Sequence, residues 1–230
     1  IHIIGCKGRN SGEFNLPFGV AFDKKGNRLL VCDMTNQRIQ VFNPDGKFIM
    51  QFGKKGKKKG QLRCPLGLAV LSSGNLLVVD KDNGRLQVFT DTGAFFKVFA
   101  KELDLPRFVA IHNERVYVTE PRECRVSVFD CHGNRLFRFG RKGCADGELN
   151  EPTGIATNSK GHVIVSDHSN HRVQVFTADG AFITKVENPS TGKPKGHFEQ
   201  AEGVAVDQED RVYVCDTVNH RIQVIPPFWL

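Results

Sequence analysis

An all-β fold assembled from repeated four-stranded units is what this sequence predicts, and three observations carry the expectation. A carboxylate and an arginine recur five times, always five positions apart: Asp33/Arg38, Asp80/Arg85, Glu120/Arg125, Asp167/Arg172 and Asp216/Arg221. Each carboxylate closes an apolar alternating run (LLVCD, LLVVD, VYVTE, VIVSD, VYVCD). Each arginine opens another (RIQVF, RLQVF, RVSVF, RVQVF, RIQVI). The carboxylates are spaced by 47, 40, 47 and 49 residues, a period that belongs to repeat architectures.

The fourth repeat shows the elements in order. Strand a lies around Gly154–Thr157, strand b at His162–Ser166, strand c at Arg172–Phe176 and strand d at Ala181–Val186. β-branched and aromatic residues alternate in each, as a half-buried strand requires. Turn residues separate them: Asn158-Ser159-Lys160-Gly161 between a and b, and Ala178-Asp179-Gly180 between c and d. The other c–d turns are Pro44-Asp45-Gly46, Asp91-Thr92-Gly93 and Cys131-His132-Gly133. Four short antiparallel strands every 40–49 residues mark a β-propeller blade. Five blades are counted, at about 14–53, 61–99, 103–140, 148–186, and 197–230 plus 1–5, in one domain; six blades is the alternative. Ile1–Gly5 reads as a strand d that joins the last blade and closes the ring, removing two open sheet edges. Half of the 18 phenylalanines fall at recurring positions and are expected in the core. Phe42, Phe89, Phe129 and Phe176 end strand c; Phe52, Phe99 and Phe139 end strand d; Phe14 and Phe198 precede strand a.

Bulk properties narrow the function classes. No apolar run reaches the roughly 18–20 residues of a membrane helix. The chain opens on Ile1 rather than Met and reads as part of a longer protein. Seven cysteines, odd in number, dispersed and without a CxxC, fit a reducing compartment. The net charge of +7 is compatible with a polyanionic partner.

Asn170-His171-Arg172 and Asn219-His220-Arg221, each followed by V/I-Q-V, resemble the NHL repeat. So do the strand-a openings Pro17-Phe18-Gly19-Val20, Pro65-Leu66-Gly67-Leu68 and Pro152-Thr153-Gly154-Ile155. The resemblance extends over the whole chain and is greatest to the C-terminal NHL domains of tripartite-motif ubiquitin ligases and of the brain tumour repressor. It implies a six-bladed ring in most members. It also implies either single-stranded RNA binding on the top face, with repression of messenger RNAs in the cytoplasm, or presentation of protein substrates to a RING-type ligase in the same parent protein. Co-repressor proteins are further expected partners; no cofactor and no membrane partner is expected, and the domain is expected to be monomeric and non-enzymatic.

Alternating strand direction puts the b–c and d–a loops on that top face. The d–a loop GKKGKKKGQLRCP holds Lys54, Lys55, Lys57, Lys58, Lys59 and Arg63 and no acid. With Arg141 these are the expected phosphate contacts, since flexible cations supply affinity rather than sequence choice. Phe18, Arg107, Phe108 and Arg122 are the expected base contacts, because planar groups stack on unpaired bases. Asn36 and His168 are expected to add hydrogen bonds from b–c loops. Blade 3 departs from the pattern, with Phe108 in the glycine position and Pro121-Arg122-Glu123-Cys124 as its b–c turn. The five carboxylate–arginine pairs are read as scaffold fixing each b–c turn.

Enzyme readings fare worse. His168, His171 and His220 lie in turns, and the repeat itself explains the last two, so no metal site is expected. Nothing resembles a nucleophile elbow, and Gly53–Gly60 lacks the GK[ST] ending and following helix of a phosphate-binding loop.

Overall fold

The computed structural model describes residues 3–23, 25–187 and 198–227, and the named strands among them all pair antiparallel. The chain falls into two compact units, Ile1–Phe108 and Val109–Leu230. The first holds two four-stranded sheets. One is β1 (Pro17–Asp23), β2 (Arg28–Asp33), β3 (Arg38–Phe42) and β4 (Phe48–Phe52); the other is β5 (Pro65–Val70), β6 (Leu76–Asp80), β7 (Arg85–Phe89) and β8 (Phe95–Ala100). The second unit holds β9 (Val109–His112), β10 (Arg115–Glu120), β11 (Arg125–Phe129) and β12 (Arg135–Phe139) as one sheet, and β13 (Pro152–Thr157), β14 (Val163–Asp167), β15 (Arg172–Phe176) and β16 (Phe182–Val186) as the next. Its last sheet is β17 (Ala201–Val206), β18 (Val212–Asp216) and β19 (Arg221–Ile225). Each sheet is a meander in chain order, which alternation and turn chemistry dictate.

Register explains the repeated sequence marks. In every repeat the carboxylate lies directly opposite its arginine: Asp33↔Arg38, Asp80↔Arg85, Glu120↔Arg125, Asp167↔Arg172 and Asp216↔Arg221. Strand a carries a register shift just after its opening residue in β1, β5, β13 and β17. A proline at a strand's first residue, beside a bulge, forfeits little hydrogen bonding. The glycine two residues on has a packing reason. A Cβ on Gly19 would lie 2.0 Å from the Leu66 carbonyl oxygen, one on Gly67 2.7 Å from that of Arg107, and one on Gly154 2.2 Å from that of Glu202. Each glycine thus lets the following repeat's backbone pass.

The apolar core runs from one repeat to the next. Leu30, Cys32, Ile39 and Val41 of the first sheet pack with Leu62, just before the second sheet, and with Leu68, Leu76 and Val78 within it. In the second unit Ile164, Val173 and Val175 pack with Phe198, Ala201, Val212 and Val214. The phenylalanines follow the same logic. Phe52 and Phe89 rings are 4.9 Å apart, as are Phe139 and Phe176.

One expectation falls partly outside the described residues. Among the described residues the last sheet has three strands, and Ile3–Gly5 adds to no sheet; Ile1 and His2 lie outside the described residues. Gly5 is pressed against Phe14 and the Gly12 carbonyl, and Ile4 lies on the c–d turn at Gly46. Ile4 thereby stands toward the first repeat as Phe52 stands toward Gly93 and Phe139 toward Gly180.

Candidate nucleic-acid interface

Three d–a loops share one spacing. Gly5–Pro17, Gly53–Pro65 and Gly140–Pro152 each place glycines at their first, fourth and eighth positions, then an acid or amide, then Phe14, Leu62 or Leu149. Each loop folds back on itself through a parallel bridge: Lys7 to Phe14, Lys55 to Leu62, Lys142 to Leu149. The apolar residue is buried in each case, plugging the loop from beneath. Backbone bonds close the lysine loop, with Leu62 N donating to Lys54 O at 2.8 Å and Gly56 N to Leu62 O at 3.1 Å.

The carboxylate–arginine pairs hold these loops. Arg85 Nε donates to Asp80 at 2.7 Å, while its Nη2 donates to the Lys58 and Gln61 carbonyls at 2.8 and 2.9 Å. Asp80 also accepts from Arg63 N at 2.6 Å and from Asn83 and Gln87. Asn83 bonds the Gly56 carbonyl as well, and Gln87 takes the Gly60 N–H and reaches the Gln61 carbonyl. The guanidinium therefore does not form a fork onto one carboxylate; Nε meets the acid and Nη2 grips the loop. Arg38 repeats this on the Asn10 and Glu13 carbonyls, and Arg172 on Cys144, Ala145 and Glu148. The equivalent ion contacts are 2.8 Å for Arg38–Asp33, 3.2 Å for Arg125–Glu120, and 2.7 Å for Arg172–Asp167 and Arg221–Asp216.

Repeat 3 shows what happens where the loop is missing. No GxxGxxxG segment precedes it, and the gripping amides are missing too: Glu123 replaces the asparagine and Ser127 the glutamine. Glu120 is one methylene longer than aspartate, and Ser127 Oγ reaches it directly. The longer acid and shorter partner fill the same space.

The candidate phosphate contacts follow. Lys54, Lys55, Lys57, Lys58 and Lys59 are all exposed, on a backbone fixed at Lys54, Gly56, Lys58, Gly60 and Gln61; Arg63 is half-buried. The loop is thus an ordered platform, not the solvated run its composition resembles. At its far end burial pushes the Cys64 thiol up, while Lys81 and Arg107 pull it down. Arg107 is therefore within electrostatic reach of Cys64, which follows the lysines. Phe18 and Phe108 meet with ring centroids 5.7 Å apart at 30°, and Phe18 remains 43% exposed. Lysines, Arg107 and the aromatic pair all belong to the first unit.

Other expected contacts are placed differently. Asn36 donates to Gly8 O and to Asp33, both at 2.9 Å, as Asn83 and Asn170 do in their repeats. Its amide N–H groups are thereby engaged by the scaffold. His168 lies 3.3 Å from Glu202 and 3.9 Å from Glu151, an acidic setting hostile to phosphate. Arg141 is exposed yet paired with Glu148 at 3.0 Å; hydrogen bonding from Ala145 N, then Arg141, holds that carboxyl below its ordinary range. Arg122 is exposed beside exposed Glu123 in the second unit. Charge divides the same way: residues 1–108 carry 18 basic and 9 acidic side chains, residues 109–230 carry 14 and 16. His171 and His220 hold the left-handed corner of their b–c turns, at φ 55° and 53°. Among the described residues no group of three or more His, Cys, Asp or Glu side chains is arranged to hold a metal ion, and no helix is long and apolar enough to cross a membrane.

Comparison with known proteins agrees with this geometry. The NHL repeat model matches residues 14–42, 62–89, 149–176 and 198–225. The unmatched repeat is the third, where loop and gripping amides are absent. "Protein brain tumor" of Drosophila melanogaster is 36% identical over 146 residues, 60% of this chain and 14% of that protein. "Protein lin-41" of Caenorhabditis elegans is 52% identical over 50 residues, 22% of this chain and 4% of that protein. "E3 ubiquitin-protein ligase TRIM71" of Bos taurus is 46% identical over 44 residues, 19% of this chain and 5% of that protein. The chain matches about a seventh or less of the length of these curated relatives. Among solved structures, a chain of a nidogen/laminin complex is similar at TM-score 0.75 and 16% identity, over 96% of this chain and 80% of that one. That likeness bears on the fold alone. Repeats, register and relatives together assign the chain to the NHL-repeat family of β-propellers.

Proposed function

We propose that this domain binds single-stranded RNA through the d–a and b–c loops of its first unit, in post-transcriptional control of messenger RNA in the cytoplasm. The observation that carries the reading is the lysine loop: five exposed lysines on a fixed backbone, without a single acid in the loop. Lys54, Lys55, Lys57, Lys58, Lys59 and Arg63 neutralise phosphates, releasing counterions. Phe18, with Phe108 behind it, offers a face on which an unpaired base stacks, and Arg107 supplies a planar cation beside it. Arg122, Arg141 and His168 contribute less, being set among the acids of the second unit. The domain binds and does not itself catalyse.

Selection from a random single-stranded RNA pool tests this. An enriched short motif is the expected outcome. Phe18→Ala or Arg107→Ala should then change which RNA is preferred, with stacking worth roughly 1–3 kcal/mol per base. A pool that enriches no motif would sink the sequence-specific reading.

A second reading, recognition of protein substrates for a RING-type ligase, is favoured by one set of residues. Glu151 and Glu202 flank His168, and Asp146 with Glu187 holds Lys185, so this end of the second unit offers carboxylates to a basic peptide. Binding of basic protein by this end, undiminished in a variant without the five lysines, would favour that reading.

A further inference from the structure

We infer that the backbone cradle of Gly56, Lys57 and Lys58 is a seat for one phosphate oxygen, left open because Gln61 stands where the sister loops carry a glutamate. In the proposed function, on which this rests for the source of the phosphate, that oxygen belongs to the RNA backbone. The sister loops show what the cradle does. Glu13 Oε2 accepts from Arg9 N and Asn10 N, both at 2.9 Å, and Glu148 Oε2 accepts from Ala145 N at 3.0 Å. The fourth-position glycine lets that oxygen in: a Cβ on Gly8 would lie 1.9 Å from Glu13 Oε2, and one on Gly143 2.0 Å from Glu148 Oε2. Successive backbone N–H groups turned onto one point form an anion-binding concavity. Hydrogen bonding from the Asn10 N–H, then from its side chain, holds the Glu13 carboxyl below its ordinary range, so the cradle favours a charged occupant.

The lysine loop keeps the cradle and changes the occupant. Its closing bonds match those of the first loop. Gly56 N donates to Leu62 O and Gln61 N to Lys58 O, both at 3.1 Å, as Gly8 N donates to Phe14 O at 2.9 Å and Glu13 N to Asn10 O at 3.1 Å. A Cβ on Gly56 would lie 2.0 Å from Gln61 Oε1, so this glycine serves the same purpose. The acceptor, however, is a neutral amide. Among the described residues Gln61 Oε1 accepts from Lys58 N alone, at 3.1 Å. The sister glutamates are held by their second oxygen as well, Glu13 Oε1 by the Asn10 amide at 3.2 Å and Glu148 Oε1 by Arg141 at 3.0 Å. Hydrogen bonds to an ionised acceptor are roughly twice as strong as neutral ones, so a phosphate oxygen displaces Gln61 Oε1 where it would not displace either carboxylate.

The exchange leaves the backbone in place. The Gln61 carbonyl is fixed by Arg85 at 2.9 Å and Gln87 at 2.8 Å, so only the side chain swings away. Lys57 and Lys58, whose N–H groups line the cradle, carry exposed ammonium groups that add charge to the same place. A phosphate held by backbone N–H groups has a defined position, which long lysine side chains do not impose. It thereby fixes the register in which a strand crosses the loop.

The amide proton shifts of Lys57 and Lys58 report the seat directly. The probes are inorganic phosphate and a short single-stranded RNA of random sequence, each added at constant ionic strength with chloride as the balancing anion. Both probes should move the two amide protons downfield in the native chain and in Gln61→Ala. In Gln61→Glu the two protons should already lie downfield, like those of Arg9 and Asn10, and neither probe should move them further. RNA affinity should fall about tenfold in Gln61→Glu, the equivalent of one charge-assisted hydrogen bond. It should hold or rise in Gln61→Ala, which removes the competitor. Lys59→Met changes the net charge equally and should cost less than Gln61→Glu. Loss of RNA affinity in Gln61→Ala would overturn the inference, since it would make Gln61 a support of the loop and not an occupant of the seat. Equal losses in Lys59→Met and Gln61→Glu would also overturn it, as would RNA binding that leaves both amides unmoved, or phosphate shifts that persist in Gln61→Glu. Phosphate shifts that vanish in Gln61→Glu, in a chain that binds no RNA, would uphold the seat and contradict the RNA reading instead.

Discussion

Asp80 accepts hydrogen bonds from Arg63 N, Asn83, Arg85 and Gln87 while fully buried, and this convergence sets its energetic role. Removing one partner of a buried ion pair leaves the other charge uncompensated, which costs about 3–5 kcal/mol. Asp80→Ala should lower unfolding free energy by that amount in urea titration. It should also weaken RNA binding, because Arg85 and Asn83 hold the lysine loop. In that respect the pairs are more than turn staples, a fact hidden in sequence because the loop carbonyls they grip lie about 25 residues away. Asp216 adds a pH signature. Burial pushes its carboxyl up, but hydrogen bonds from Glu199 N, Arg221, Gln223 and Asn219 prevail and hold it below the ordinary range. A depressed folded pKa means that the stabilisation is full above the unfolded value near 4 and is lost as pH falls through the folded one. Acid titration of stability should therefore show a loss below about pH 4 that is smaller in Asp216→Asn.

At the scale of the element, the lysine loop is ordered by contacts that composition conceals. Strands were legible from alternation, and c–d turns from Asp-Gly and related pairs, because those signals are local. The loop's order was not, although the matched glycines of Gly5–Pro17, Gly53–Pro65 and Gly140–Pro152 held the clue. Gln87→Ala frees the Gly60 N–H and one bond to the Gln61 carbonyl. Amide exchange at Gly60 should quicken about tenfold, the equivalent of one lost hydrogen bond. RNA affinity should fall while its salt dependence stays the same, since no cation is removed.

For the whole molecule, the repeat announced the fold and also pointed to its own exceptions. The five carboxylate–arginine spacings and the P-x-G openings sufficed for the architecture. Exposure at β19 could not be read in advance, since Ile222 and Val224 look like their buried counterparts. The functional split was half legible: the acid-free loop stood out, but the pairing of Arg141 with Glu148 and the acidic setting of His168 required three dimensions. The charge excess of residues 1–108 is what places the proposed RNA binding in the first unit.

The central claim rests on the lysines and is tested most directly by RNA affinity across a salt series, for the native chain and for one with Lys54, Lys55, Lys57, Lys58 and Lys59 changed to alanine. Single-stranded contacts contribute a slope of about −0.7 per phosphate neutralised, so the account predicts weaker binding and a slope shallower by up to about 3.5. Affinity and slope that match the native chain would contradict it.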